Sequence, residues 1–225
     1  SGILDKYDTI HILLTHLHMD HIQGLGFFTP FFKKGRVIKM WGPSGPSPLV
    51  QRLNRYLSPP LFPVRIRDFQ CDLTMENMPM KPMQIGTLTV MGKYICHPGP
   101  TLGYRITDGN RVLTYIPDHE PALASRDFPQ SPKWTSGYDL VHETDLLIHD
   151  AQFTDQEYAQ CIGWGHSTVT HAIQMAKTAN ARKLVMFHHD PSHTDACLEQ
   201  MYEDYECGKQ SFPVIIGREG ESMEV

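Results

Sequence analysis

Thirteen of the 225 residues are histidine, and they are clustered: four fall in residues 11–21 and three in 188–193. The densest stretch is His16-Leu17-His18-Met19-Asp20-His21, three imidazoles and a carboxylate within six residues. Alternate residues of an extended loop face the same way, so His16 and His18 share a side. Asp20 and His21 follow as the chain turns into a helix and face a neighbouring point. One cation can take the first pair and a second cation the other. Imidazole with carboxylate suits Zn²⁺, and Mn²⁺ or Fe are served by the same donors. A polar turn with incidental histidines would not concentrate four ligand-type side chains at this spacing.

The elements that must hold these groups are legible from periodicity. Thr9 to Thr15, Val37 to Trp41, Val64 to Phe69, Ile85 to Ile95, Asp145 to His149, Lys183 to Phe187 and Phe212 to Ile216 read as strands. Tyr104–Thr107 and Arg111–Ile116 flank Asp108-Gly109-Asn110 and predict a hairpin. Ile22–Phe28, Pro46–Leu57, Thr154–Gln160, Thr168–Ala179 and a segment capped by Thr194 or Asp195 and running to Cys207 read as helices. Residues 121–137, with three prolines, read as a surface loop. Strands alternating with helices make the class α/β. His16, His97, Asp118 and His188 each directly follow a predicted strand, at the sheet edge where such folds place their sites.

Length and composition bound the function. A chain of 225 residues, 40% hydrophobic and 20% charged, predicts a single packed domain over 1–225. Net charge −5 disfavours a general nucleic-acid binder. No apolar run reaches the roughly 18 residues that span a membrane. Five cysteines without a CxxC argue for reduced thiols and a cytoplasmic location.

His-x-His-x-Asp-His after a buried strand, followed by Gly24, resembles the metal motif of the metallo-β-lactamase superfamily. His97-Pro98-Gly99, Asp118 after its strand, and His188 at the end of Leu184-Val185-Met186-Phe187 resemble its later motifs, in order. The resemblance implies an αββα sandwich. It also implies His16, His18, His97 and Asp118 on one divalent ion, and Asp20, His21, Asp118 and His188 on a second. Leu147-Ile148-His149-Asp150-Ala151-Gln152 and Gly165-His166-Ser167-Thr168 are similar to segments of the ribonuclease Z-like phosphodiesterase branch. There the loop histidine is a general acid, a role that passes to His166 by motif. The segment from His188 to His193 departs from the branch's ending, and His189 and His193 are the candidates for phosphate contact. Only about fifteen residues precede the first motif where members have about two further strands, so the N-terminal strands are expected to be missing. Only twenty residues separate His97 from Asp118, where tRNA-processing members carry a long arm. That spacing, with the acidic charge, argues against tRNA. Members of the branch are often dimers, and a homodimer is compatible with the chain.

The implied chemistry is in-line attack on phosphorus by a hydroxide shared between two ions about 3.5–4 Å apart, with Asp20 orienting the nucleophile and His166 protonating the leaving oxygen. Asp150 would hold His149 or His166. The expected substrate is a small phosphodiester of the cyclic nucleotide or cyclic phosphate type. Hydrolysis of a lactone, lactam or thioester by the same hydroxide is the alternative. A di-iron redox or sensor domain and a non-catalytic module are alternatives of another class. Other residues stay open or have duller uses. His119 lines a pocket or starts a helix, His149 is a supporting or a core residue, and Trp164 lines the pocket or anchors a loop. His11 fits a sheet face, and His142 and His171 fit solvated helix faces.

Overall fold

The computed structural model describes residues 4–225. These divide into two compact units, with the boundary between Pro79 and Met80.

The first unit carries β1 (Thr9–Leu13), α1 (Met19–Ile22), β2 (Val37–Gly42), α2 (Leu49–Leu53) and β3 (Asp72–Asn77). The three strands form a parallel sheet in the order β1-β2-β3. Ile10, Ile38, Met40, Leu49, Leu53 and Phe31 are buried together as its core. Three local expectations are corrected here. Val64–Phe69 is not a strand: Ile66–Asp68 is a 3₁₀ turn, closed by the Asp68 carboxylate accepting from Arg65 N at 3.0 Å. The third strand is Asp72–Asn77, whose polar residues suit a sheet edge and masked its apolar signal. The helix read over 46–57 shrinks to Leu49–Leu53. The helix after the histidine motif starts earlier than read, at Met19, and passes into a 3₁₀ turn over Gln23–Phe27, where Gly24 and Gly26 disfavour continued α-helix.

The second unit carries β4 (Met83–Ile85), β5 (Leu88–Ile95), β6 (Thr101–Asp108), β7 (Arg111–Ile116), α3 (Tyr138–Val141), β8 (Leu146–Asp150), α4 (Asp155–Cys161), α5 (Val169–Thr178), β9 (Leu184–Phe187), α6 (Asp195–Asp204) and β10 (Val214–Ile216). Its sheet runs β10-β9-β8-β7-β6-β5-β4. β7 to β10 pair in parallel and β4 to β7 antiparallel, so β5, β7, β8 and β9 all point the same way. Their carboxyl ends therefore share one edge, and Cys96-His97, Pro117-Asp118, Asp150 and His188 emerge there. The run read as one strand over 85–95 is a hairpin bent after Ile85, and the helical pattern read around His142 is the short α3, which ends just before it. Residues 121–137 form the expected loop, with one 3₁₀ turn at Pro132–Trp134.

Helix starts in this unit follow their cap chemistry. Thr154 accepts from Glu157 N at 3.2 Å while the Glu157 carboxylate takes Thr154 N at 2.7 Å, a reciprocal capping box for α4. Thr168 caps α5 through His171 N at 3.0 Å, and Thr194 caps α6 through Cys197 N. Leu147, Leu184, Met186, Ala172, Met175 and Ala176 are buried in the core under α5. No helix among the described residues is long and apolar enough to cross a membrane.

Candidate metal centre

In the first unit β1 delivers its histidines directly. Leu14 N donates to Trp41 O at 2.8 Å, extending the β1–β2 pairing to the brink of the motif. His16 is buried at 2% exposure, while His18 and Asp20 are exposed. The His16 ring centroid lies 4.5 Å from that of His18 and 4.2 Å from that of His21. His21 Nε2 sits 3.1 Å from Asp20 Oδ2. Three imidazoles at such separations would repel if charged, and a divalent cation is the partner their lone pairs suit. His11 lies on the sheet as read and accepts from Trp41 Nε1 at 3.3 Å.

In the second unit the carboxyl ends of β5, β7, β8 and β9 bring His97, Asp118, Asp150 and His188 together with His166 from the turn before α5. Asp118 is buried at 2% exposure. One of its carboxylate oxygens faces His97 Nε2 at 3.7 Å and the other faces His188 Nε2 at 3.2 Å. A carboxylate flanked by an imidazole on each oxygen is suited to bridging two ions. His188 has φ of +55°, left-handed backbone that a non-glycine residue rarely adopts, and this is the kind of strain found at functional sites.

The partners of these rings fix their tautomers. His97 Nδ1 is 2.8 Å from Gly165 O. A carbonyl only accepts, so Nδ1 carries the proton and Nε2 keeps its lone pair toward Asp118. Asp150, fully buried, takes His166 Nδ1 at 2.9 Å and His119 N at 2.9 Å on Oδ2, and Gln152 N at 3.0 Å on Oδ1. His166 Nδ1 therefore donates. Its ring stacks on His188 with centroids 5.0 Å apart. Asp150, His166 and His188 each offer a ligand atom within 4.8 Å of the others'.

Asp150 thus orients His166 rather than His149. His149 Nδ1 donates instead to the Asp150 backbone carbonyl at 2.6 Å, which leaves its Nε2 to accept from His119 Nδ1 at 3.1 Å. Burial holds both imidazoles below the usual histidine range: for His119 the neighbouring His149 adds to it, and for His149 the bond to Asp150 O only partly offsets it. His119 is fully buried and lies on a loop, so it does not start a helix. His171, read on a solvated face, is buried against Tyr158 with centroids 4.9 Å apart. His142 is exposed at the end of α3, as read. His193 Nε2 meets Glu157 Oε1 at 2.9 Å, so its ring is already partnered by a carboxylate. His189 Nε2 is buried with no hydrogen-bond partner among the described residues.

Sequence reasoning gave Glu120 no role. It is fully buried, and its Oε1 accepts from Gly163 N at 2.9 Å and from the Tyr158 hydroxyl. The run Asp118-His119-Glu120, three ionisable residues directly after a strand at the site edge, was the available signal.

The family profile described as Beta-lactamase superfamily domain matches residues 4–189. The chain belongs to the beta-lactamase superfamily. A relative within it, ribonuclease Z of Thermosynechococcus vestitus (strain NIES-2133 / IAM M-273 / BP-1), is 26% identical over 221 residues; the match takes in 79% of this chain and 52% of the relative. The chain thus spans about half the length of that relative. Among solved structures, the metallo-beta-lactamase fold protein YhfI from Bacillus subtilis superposes with a TM-score of 0.67 at 21% identity, over 95% of this chain and 77% of that one. The short form of human tRNase Z gives a TM-score of 0.62 at 20% identity, over 92% and 76%. At these identities the structures speak to the fold alone, and the fold is the mixed α/β metallo-β-lactamase type read from the motifs.

The donors in each unit fit divalent cations. In the first unit they are imidazoles and a carboxylate. In the second, His97 has the tautomer a metal ligand needs, its outer nitrogen donating to a backbone carbonyl.

Proposed function

We propose that this chain supplies the centre of a dimetal hydrolase that cleaves a small phosphodiester of the cyclic nucleotide or cyclic phosphate type. In this reading His16, His18, His97 and Asp118 hold one ion, and Asp20, His21, Asp118 and His188 hold the other. Zn²⁺ is the ion that the donor set favours. When bound, such ions polarise the phosphoryl oxygens and make a nucleophile available at neutral pH.

The observation that carries the reading is the Asp150–His166 pair at 2.9 Å. Asp150 holds the His166 ring through the Nδ1 proton, and in this reading the ring carries a second proton on Nε2, which it gives to the leaving oxygen as a general acid. An alkoxide leaving from phosphorus depends on such a proton, and opening a thioester does not. Asp20, exposed and 3.1 Å from His21, is the carboxylate available to orient the nucleophile. The small-substrate reading draws on the segment between His97 and Asp118, which is taken up by the β6–β7 hairpin with its two-residue turn. Both the nucleolytic activity named for the relatives and the choice of a small ester are carried to this chain as part of the proposal.

The test is a panel assay on Zn²⁺- or Mn²⁺-loaded protein with bis-(p-nitrophenyl) phosphate, a cyclic nucleotide, a lactone and a tRNA precursor. Turnover of the two small phosphodiesters is expected, and His166→Ala should lower turnover of the cyclic nucleotide, whose alkoxide needs a proton, at least 10²-fold, and lower that of bis-(p-nitrophenyl) phosphate, whose phenolate leaves unaided, far less, while both metals are retained by elemental analysis. Lactone turnover without phosphodiester turnover would overturn the reaction class. Preference for the tRNA precursor would overturn the small substrate.

A further inference from the structure

We infer that Trp164 is a stacking platform for a nucleobase, which makes the substrate of the proposed hydrolase a nucleotide rather than a base-free phosphodiester. The inference rests on the hydrolase reading and adds the chemical class of the group carried by the phosphate.

Trp164 is 61% exposed. It is no loop anchor, because an anchor buries its ring. Its backbone nevertheless is held on both sides. Gly163 N donates to the fully buried Glu120 carboxylate at 2.9 Å, and Gly165 O accepts from His97 Nδ1 at 2.8 Å. Trp164 N itself donates to Cys161 O at 3.0 Å. The flanking glycines have φ of +88° and +89°, a backbone region that only glycine enters without cost. Two flexible residues are thus ordered, and a buried carboxylate is committed, to hold an indole in solvent.

The place of that indole is the second observation. It is one residue from the carbonyl that sets the His97 tautomer and two from His166. In the proposed reaction the group that carries the leaving oxygen sits beside His166, and the loop presenting Trp164 leads directly into that residue. Indole offers a wide, rigid π-face that stacks on any base without selecting among them. Trp134 is more exposed still, but it lies in the 121–137 loop, remote in sequence from every candidate ligand.

The experiment compares adenosine 2′,3′-cyclic phosphate with methyl riboside 2′,3′-cyclic phosphate, which presents the same reacting phosphorus without a base. Wild-type protein, W164F and W164A are assayed with metal loaded. Alanine is expected to raise KM for the nucleotide about five- to hundredfold and to leave the base-free ester and kcat within about twofold; phenylalanine should restore most of the loss. Equal losses on both substrates, or none on either, would overturn the platform. Emission is measured in parallel as the difference between wild type and W164F, which removes the signals of Trp41 and Trp134. Quenching of this difference by adenosine 5′-monophosphate and not by ribose 5-phosphate supports the platform. Quenching by neither, or by both alike, overturns it. If wild type turns over neither ester, the hydrolase reading fails by itself, and the emission difference still decides whether Trp164 binds a base.

Discussion

Replacing Gly165 with alanine tests whether the turn before His166 is built around His97. A Cβ at residue 165 would lie 2.5 Å from His97 Nδ1, closer still to Pro98 Cδ, and 3.2 Å from His97 Cα. None of these atoms is the yielding end of a long side chain. Gly163 is the matched control: its φ is +88° against +89°, but a Cβ there meets only Ala124, its Cβ at 3.7 Å and its Cα at 4.0 Å, ordinary contacts. Both substitutions carry the left-handed backbone cost of roughly 1–2 kcal/mol. Only Gly165→Ala adds an overpacking cost of about 1–3 kcal/mol. Gly163→Ala should therefore lose about 1–2 kcal/mol and Gly165→Ala roughly 2–5 kcal/mol, read from urea midpoints at unchanged m. The clash also pushes His97 off the carbonyl that sets its tautomer. Zn²⁺ affinity by calorimetry should fall about 10–100-fold in Gly165→Ala and stay close to wild type in Gly163→Ala. Equal destabilisation of the two variants, or full Zn²⁺ affinity in Gly165→Ala, would refute the reasoning.

Two further outcomes are expected. His149 and His171 are held below the usual histidine range, in each case chiefly by burial. The unfolded chain therefore binds protons that the folded chain refuses once pH falls below about 6.5, and stability declines on acidification by up to ~1.4 kcal/mol per pH unit for each such group. Urea midpoints between pH 7.5 and 5.5 should show the decline and His171→Leu should flatten it, whereas a slope unchanged in that variant would clear His171. Asp150→Asn keeps an acceptor for His119 N and His166 but sets an amide NH₂ against Gln152 N–H, so a loss of about 1–3 kcal/mol is expected, and wild-type stability in that variant would contradict the hydrogen-bond assignment.

The His16–His21 motif, His97, Asp118 and His188 were legible because ligand chemistry is written in residue type and short spacing. Strand β9, which leads into His188, was legible because a buried parallel strand reads as a continuous apolar run. β3 was not, since Asp72, Thr74 and Glu76 give an edge strand a polar face, and the helix over 46–57 was overcalled because proline and serine around it bound a much shorter turn. Tertiary structure alone decided which carboxylate serves which imidazole. Asp150 follows His149 in sequence, yet its side chain holds His166, sixteen residues away. It likewise decided that His119 and His171 are buried neutral, that Glu120 clamps the Trp164 loop, and that Trp164 stands in solvent. Residue type and local spacing are properties of the chain, whereas burial and hydrogen-bond pairing depend on which strand ends and loops converge, and no local pattern carries that information.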